Sequence, residues 1–282
     1  MTPQIISDIA TLRALVGSAR SAGERIALVP TMGALHEGHR ALVAHAASVA
    51  DAVIVSIFVN PLQFSEQADL TRYPRTLEAD AVSLADSGVL AIWAPSVETM
   101  YPDGATETRV SAGHVGTLYE GASRPGHFDG MLTVVAKLFN LVQPDVAVFG
   151  QKDAQQAHIV RRMVADLNLP IEIDVVPTVR EADGLALSSR NRFLSADERR
   201  GALALSEALG AVEASAASGL GEALAEGAAA FGDHDAVKLD YLVVVEPKTF
   251  LPVSDGYRGE AAVLVAAQVG STRLIDNTTI TL

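Results

Sequence analysis

The chain has 282 residues, with 34 acidic against 21 basic side chains, a formal net charge of −13, and no cysteine. Hydrophobic residues make up 49%, enough for a packed core, so intrinsic disorder is excluded. The missing cysteines exclude a disulfide scaffold, a thiolate zinc site, an iron–sulfur cluster and a thiol nucleophile, and the acidity argues against a surface built to grip nucleic acid.

A locally positive site for an anion remains open inside a negative molecule. The length suits one large domain or two smaller ones. Met1 to Leu12 carries no basic segment ahead of an apolar run, and no stretch of about 18 apolar residues could span a bilayer. The expectation is a soluble, cytoplasmic protein with no membrane or nucleic-acid partner. Asn277-Thr278-Thr279 fits the glycosylation triplet, but without an export signal it is read as chance.

In chain order, Ile26 to Pro30 reads as a buried strand, followed by a glycine-punctuated turn and a helix from about Gly38 to Val49. Ala52 to Val59 is β-branched and nearly continuous, which suits a strand buried on both faces. Thr76 to Ser87 reads as helix and Leu90 to Trp93 as strand. Phe128 to Val142 follows as helix, Asp145 to Phe149 as strand, Ala154 to Leu167 as helix and Ile171 to Val176 as strand. This alternation predicts an α/β fold, a doubly wound, mostly parallel sheet with helices on both faces.

The pattern changes near Val179. Ser195 to Phe231 is alanine-rich and reads as two helices broken around Gly219-Leu220-Gly221. Three apolar runs follow at hairpin-like spacing, Tyr241 to Val245, Ala261 to Ala267 and Arg273 to Ile275. Helices followed by strands predict a smaller α+β domain, so the chain divides into 1–177 and 178–282.

Ligands of an open parallel sheet bind beyond the carboxyl ends of its strands. After the first strand comes Pro30-Thr31-Met32-Gly33-Ala34-Leu35-His36-Glu37-Gly38-His39. Two histidines three apart can share one side of a helix N-terminus, whose free N–H groups and dipole favour phosphate. Gly33 and Gly38 leave room for a nucleotide near the backbone. Two histidines and two glycines after a buried strand point to function rather than to a plain turn. The Walker A spacing of these glycines fails at His39-Arg40, and His36 to His39 is one residue too short for the zincin helix.

The second strand ends in Asn60-Pro61-Leu62-Gln63-Phe64, where two amides could hold a ligand with hydroxyls and a carboxylate. Gly150-Gln151-Lys152-Asp153 follows the strand at Asp145 to Phe149. Lys152 is a point charge suited to a triphosphate, Asp153 can cap the next helix, and Gln156 lies one turn along. Leu187-Ser188-Ser189-Arg190-Asn191 supplies two hydroxyls and a guanidinium where the second domain begins, a candidate closing loop.

The His-x-Gly-His element and the Leu-Ser-Ser-Arg loop together resemble the two signatures of the nucleotidyltransferase superfamily that includes class I aminoacyl-tRNA synthetases. More closely, the chain resembles the pantothenate synthetase (pantoate–β-alanine ligase) family. The segments that carry this are Pro30 to His39, Val59 to Phe64, Tyr73 to Thr76, Glu120 to Gly130, Phe149 to Gln156, Pro177 to Arg192 and Thr272 to Asn277. They run from the first strand to the C-terminus.

The resemblance implies a Rossmann-like catalytic domain, a C-terminal lid and a homodimer. It also implies the reaction: ATP and pantoate give pantoyl adenylate and pyrophosphate, then β-alanine displaces AMP to make pantothenate for coenzyme A biosynthesis. It assigns Pro30, Thr31, Met32, Gly33, Ala34, Leu35, His36, Glu37, Gly38 and His39 to ATP, with His39 as proton donor. Gly150, Gln151, Lys152, Asp153, Val179, Leu187, Ser188, Ser189 and Arg190 complete that site. Catalysis falls to His39, His36, Lys152 and Arg190. Gln63 and Gln156 hold pantoate, Gln63 also lies near β-alanine, and Asn60, Arg124 and Tyr73 contribute by position. Mg²⁺ enters through the ATP phosphates, with Asp80 as a candidate ligand.

Two positions depart from the more familiar forms of these signatures. Gln151 stands where glutamate is frequent, with the lysine and aspartate kept, and Arg190 stands where many synthetases have a second lysine. Two rivals stay open: another nucleotidyltransferase that leaves its nucleotide on the product, and a non-catalytic nucleotide-binding regulator. A tRNA-charging role is disfavoured by the acidity and by the lack of an appended basic domain.

Overall fold

Six short strands carry the first part of the chain, and the side chains of β2, β3 and β5 at its centre alternate between two buried faces. The computed structural model describes residues 2–64, 67–104, 106–232 and 236–282. The elements begin with β1 (Gln4–Ile6), α1 (Ile9–Ser21), β2 (Ile26–Thr31), α2 (Glu37–Val49) and β3 (Ala52–Ile57). They continue with α3 (Gln67–Arg72), α4 (Leu77–Ser83), β4 (Val89–Trp93), α5 (Val97–Met100) and α6 (Glu120–Ser123). Next come α7 (His127–Val142), β5 (Val146–Gly150), α8 (Ala154–Asp166) and β6 (Glu172–Val176). The remainder holds α9 (Ala196–Ala202), α10 (Ala204–Ser215), α11 (Leu220–Ala229), β7 (Val237–Val245), β8 (Glu260–Val269) and β9 (Thr272–Thr281).

Two compact units result, Met1–Gly150 with Ile159–Val176, and Gln151–His158 with Pro177–Leu282. The second unit therefore takes in Gln151–His158, which the pattern of apolar runs assigns to the first.

In the first unit the strands form a parallel sheet in the order β1-β4-β3-β2-β5-β6. Ile26, Leu28 and Ile54 pack with Leu132 and Leu138 of α7 on one face. Ala27, Val29, Val53 and Val55 pack with Leu42 and Val43 of α2 and Leu84 on the other. Period-2 alternation with both sets apolar is what a doubly covered parallel sheet requires. β1 and α1 lie outside the elements that the apolar runs predict, since three strand residues at a sheet edge carry too short a pattern to stand out. The strand order reverses between β2 and β5, so the crevice expected of such a sheet opens at their carboxyl ends.

In the second unit β7, β8 and β9 form an antiparallel sheet in that order. Val263 and Val265 of β8 pack against Leu205, Leu209 and Val212 of α10. The alanine-rich stretch forms three helices instead of two, because the chain also breaks at Leu203 between α9 and α10. Alanine favours helix on every face and so hides a junction that involves neither glycine nor proline.

One close approach in the first unit sets the position of a candidate residue. A Cβ on Gly130 of α7 would lie 2.0 Å from the Leu62 carbonyl oxygen and 2.9 Å from the Gln63 nitrogen. Backbone meets backbone there, so only glycine fits. Gly130→Ala is expected to lower stability by about 1–3 kcal/mol, read as a lowered urea midpoint. Gly17→Ala on the exposed face of helix α1, where a Cβ meets nothing within 4 Å, should hold or raise that midpoint.

Candidate active site

The turn after β2 is built by a carboxylate from a helix far along the chain. Gly33 and Ala34 both adopt positive φ, +85° and +52°, the left-handed region that costs a residue with a side chain. Asp80 of α4 holds them there. Its Oδ2 accepts from the Ala34 N–H at 3.0 Å and from the Thr76 hydroxyl at 3.1 Å, and its Oδ1 accepts from the Leu35 N–H at 2.8 Å. A Cβ on Gly33 would stand 3.1 Å from Asp80 Oδ2. The Thr31 hydroxyl donates to the Ser56 carbonyl and accepts from the Gly33 N–H, closing the strand end of the same turn. Asp80 is buried with three hydrogen bonds on its two oxygens, so its geometry is that of a loop anchor.

The turn delivers the histidine pair to the start of α2, one residue earlier than the apolar pattern suggests. His36 is the N-cap, and its Nδ1 accepts from the Gly38 N–H at 3.1 Å. His39 Nδ1 accepts in return from the His36 N–H at 3.3 Å. This is a capping box made by two imidazoles. Because backbone N–H groups only donate, each Nδ1 is an acceptor, and the proton of each neutral ring sits on Nε2. The rings stand 4.1 Å apart with a 43° tilt. Glu37 is exposed and paired with Arg40.

A second cluster lies beyond β3. Asn60 is fully buried, and its amide orientation is fixed by groups with one possible role. Oδ1 accepts from the Leu62 N–H, and Nδ2 donates to the Gly130 carbonyl at 3.0 Å. Nδ2 also donates to Gln63 Oε1 at 3.1 Å, so Gln63 turns its Nε2 toward Met32 and donates to Sδ at 2.9 Å. Since Asn60 presents an oxygen, the Tyr101 hydroxyl at 2.7 Å must donate to it. Burial pushes that phenol above the usual tyrosine range, which keeps it a donor.

His127 supports the same turn from α7. Its Nδ1 lies 2.8 Å from the Gln63 carbonyl oxygen, which accepts, so Nδ1 carries the proton. Nε2 is left as an acceptor for Arg124 Nη1 at 3.2 Å, and Arg124 Nη2 donates to the Gln63 carbonyl at 3.4 Å. The first unit thus brings Met32, Asn60, Gln63 and Arg124 together. Tyr73 packs edge-on to Phe64 at 5.8 Å, next to that turn.

In the second unit, Gln151–Asp153 forms a short 3-10 turn ahead of α8. Lys152 Nζ lies 3.9 Å from Asp153 Oδ1. Gln156 is half-buried one turn into α8. Val179 accepts from the Leu187 N–H at 3.0 Å, and Arg180 bridges to Ala186, so the Leu-Ser-Ser-Arg segment leaves a small hairpin. Ser188 caps the turn Ser189–Phe193 by accepting from the Arg190 N–H at 3.2 Å. Ser189 and Arg190 are half-buried within that turn.

Reasoning from sequence misses Tyr101 as a contributor to these clusters. Nothing in the spacing around Tyr101 distinguishes it from a core aromatic. His127 and Asn277 sit in segments that carry the family resemblance but receive no part there.

Among the described residues no group of three or more histidine, aspartate or glutamate side chains could hold a metal, and no helix is long and apolar enough to cross a membrane.

Comparison with known proteins places these features in context. The family model described as pantoate-beta-alanine ligase matches residues 4–279. The chain is 57% identical to the pantothenate synthetase of Leifsonia xyli subsp. xyli, over 99% of this chain and 97% of that protein. It resembles the crystal structure of pantothenate synthetase from Thermus thermophilus, with a TM-score of 0.90, 48% identity and 98% of each chain covered. It also resembles the pantoate-beta-alanine ligase of Francisella tularensis, solved with beta-gamma ATP and beta-alanine. That match has a TM-score of 0.81 at 35% identity and covers 98% of this chain and 97% of that one.

The Asp80 anchor is open to direct measurement. Asp80→Asn turns an amide N–H toward one of the N–H or O–H donors that the carboxylate now accepts. It is expected to cost about 1–3 kcal/mol, seen as a lowered denaturant midpoint. Thr76→Val, which removes one donor and leaves both loop N–H bonds, should cost less. Equal losses from the two substitutions would contradict the anchoring role.

Proposed function

Because the chain belongs to the pantoate–β-alanine ligase family, we propose that it joins pantoate to β-alanine through a pantoyl adenylate, consuming ATP and releasing AMP and pyrophosphate. The product is pantothenate, the precursor of coenzyme A. The observation that carries this reading is the reciprocal histidine cap. It leaves the ring protons of two imidazoles on Nε2 at the N-terminus of a 13-residue helix, a combination suited to phosphate. The Francisella tularensis relative, solved with beta-gamma ATP and beta-alanine, supports these two as ligands.

A carboxylate is a poor electrophile and is repelled by the triphosphate it must attack. In the first step a pantoate carboxylate oxygen forms a bond to the α-phosphorus of ATP, and the bond to the bridging oxygen of pyrophosphate breaks. Negative charge gathers on the departing pyrophosphate, where fixed donors lower the barrier most. His36 and His39 supply neutral N–H donors, and Lys152 and Arg190 supply cations. In the second step the β-alanine nitrogen attacks the acyl carbon, the bond to the AMP oxygen breaks, and the amine gives up a proton. Orientation of the bound amine provides much of that step.

Gln63 is read as a pantoate ligand. Its locked amide offers Nε2–H, a donor for a carboxylate or hydroxyl oxygen, with Asn60 as its support. Gln156 is proposed as the second pantoate amide, with Arg124 and Tyr73 contributing near Gln63. Pro30 to His39, Gly150 to Asp153, Val179 and Leu187 to Arg190 are proposed to contact ATP. Mg²⁺ is taken to travel with the ATP phosphates, in keeping with its preference for substrate oxygens. Asp80 is left to the loop, because both of its oxygens already serve backbone N–H groups. A cytoplasmic homodimer belongs to the same proposal, and light scattering at micromolar concentration tests the dimer.

Omitting each substrate in turn tests the reaction. Pantoate with ATP should release pyrophosphate, and AMP should accumulate catalytically only when β-alanine is added. A stable nucleotidyl product, or AMP turnover that ignores β-alanine, would overturn the substrate assignment. His39→Ala and Lys152→Ala are each expected to slow adenylation by on the order of 100- to 1,000-fold, while melting temperatures fall by only a few degrees. Wild-type-like rates in either variant would remove that residue from the mechanism.

A further inference from the structure

Strand β9 carries two adjacent polar residues, Asp276 and Asn277, and both are buried. The proposed reaction uses neither of them. Asn277 Nδ2 donates to the carbonyl oxygens of Gln151 and Lys152, each at 2.9 Å. Asn277 Oδ1 accepts from Gln151 Nε2 at 3.2 Å. Three bonds from one side chain therefore grip the turn that bears Lys152, two of them on its backbone.

Asp276 anchors Asn277 in turn. It accepts a bidentate pair from Arg180 at 2.5 and 3.0 Å, and its Oδ1 also accepts from the Asn277 N–H at 2.8 Å. Arg180 donates further to the Gly184 carbonyl at 3.1 Å and the Asn277 carbonyl at 3.4 Å. The dipeptide thus ties the Lys152 turn and the hairpin leading to Leu187–Arg190 to one strand of the second unit.

We propose that Asn277 is a positioning residue for Lys152, acting through the two backbone carbonyls that it holds. A lysine side chain has four rotatable bonds, and only the backbone that launches it can be fixed rigidly by neighbours. Two carbonyls and one N–H facing a buried side chain call for two donors and one acceptor, which a primary amide supplies. Aspartate would set a carboxylate against two carbonyl oxygens, and leucine would leave both carbonyls buried without this partner.

This inference rests on the part given to Lys152 above, so its test separates the two claims. The rate of pantoate-dependent exchange of pyrophosphate into ATP reports adenylation alone. It is measured for the wild type, Asn277→Ala, Lys152→Ala and the double variant, a double-mutant cycle. Asn277→Ala is expected to lower the exchange kcat by roughly 10- to 100-fold, since misplacing a reacting group by about 1 Å costs about that much. KM for pantoate should move by less than about threefold, because Asn277 bonds neither Gln63 nor Gln156, which lies within the helical backbone of α8. In the Lys152→Ala background the same substitution should cost less than about threefold.

A general loss of folded enzyme would instead scale the rate equally in both backgrounds. Equal losses in the two backgrounds, or a wild-type rate in Asn277→Ala, overturn the role of Asn277 while leaving that of Lys152 standing. A wild-type exchange rate in Lys152→Ala overturns the reading of Lys152 itself. If Asn277→Ala is insoluble, Asn277→Ser, which keeps one donor, takes its place in the same cycle with the same criteria.

Discussion

A parallel sheet buried on both faces leaves its polar chemistry only one place to go, beyond the ends of the strands. With β2 and β3 lined by alanine, valine, isoleucine and leucine on both sides, no strand residue before Pro30 or Ser56 can serve a charged ligand. The turns that follow must do so, and irregular turns do not hold themselves in shape. Three of the turns are accordingly fixed by buried polar side chains. Asp80 holds Gly33 to Leu35, Asn60 with Gly130 and His127 holds Leu62 and Gln63, and Asn277 holds Gln151 and Lys152.

These anchors also decide the direction in which hydrogen bonds run. A backbone N–H can only donate and a carbonyl can only accept, so a side chain facing one has its own polarity set. By that rule His36 and His39 carry their protons on Nε2, His127 carries its proton on Nδ1, and Gln63 offers an N–H rather than an oxygen. Three imidazoles of one composition thus fall into two tautomers, and the difference lies wholly in the backbone groups they meet. For a ligand made of phosphate and carboxylate oxygens, N–H donors are the polarity needed.

The net charge of −13 is compatible with such ligands because the donors are few and local. Lys152, with Asp153 3.9 Å away, and Arg190 lie in turns, while many of the other basic side chains are bound closely to carboxylates. Arg180 is bound to Asp276, Arg199 to Glu181 and Asp183, and Arg273 to Asp240. A count of charges along the chain does not distinguish a paired arginine from one left for a substrate.

Much of this molecule was legible in its residues. Continuous apolar runs such as Ala52 to Ile57 announce strands covered on both sides, and alternation with helices announces a parallel sheet, because each pattern admits few other ways to bury its side chains. His36, His39, Lys152 and Arg190 stand out for a local reason: each sits just past an element boundary in a recognisable spacing. Short edge strand β1 and the helix break at Leu203 left no such trace, one being too brief and the other masked by alanine. The anchoring parts of Asp80, Tyr101, His127 and Asn277 belong to the tertiary structure alone. Asn277 lies 125 residues from the carbonyl of Lys152 that it holds, and no periodicity links two such positions. Sequence by itself determined where the central strands run and which residue types stand just past their ends. Folding decided which way each of them points, because that depends on backbone donors and acceptors that distant segments bring into reach.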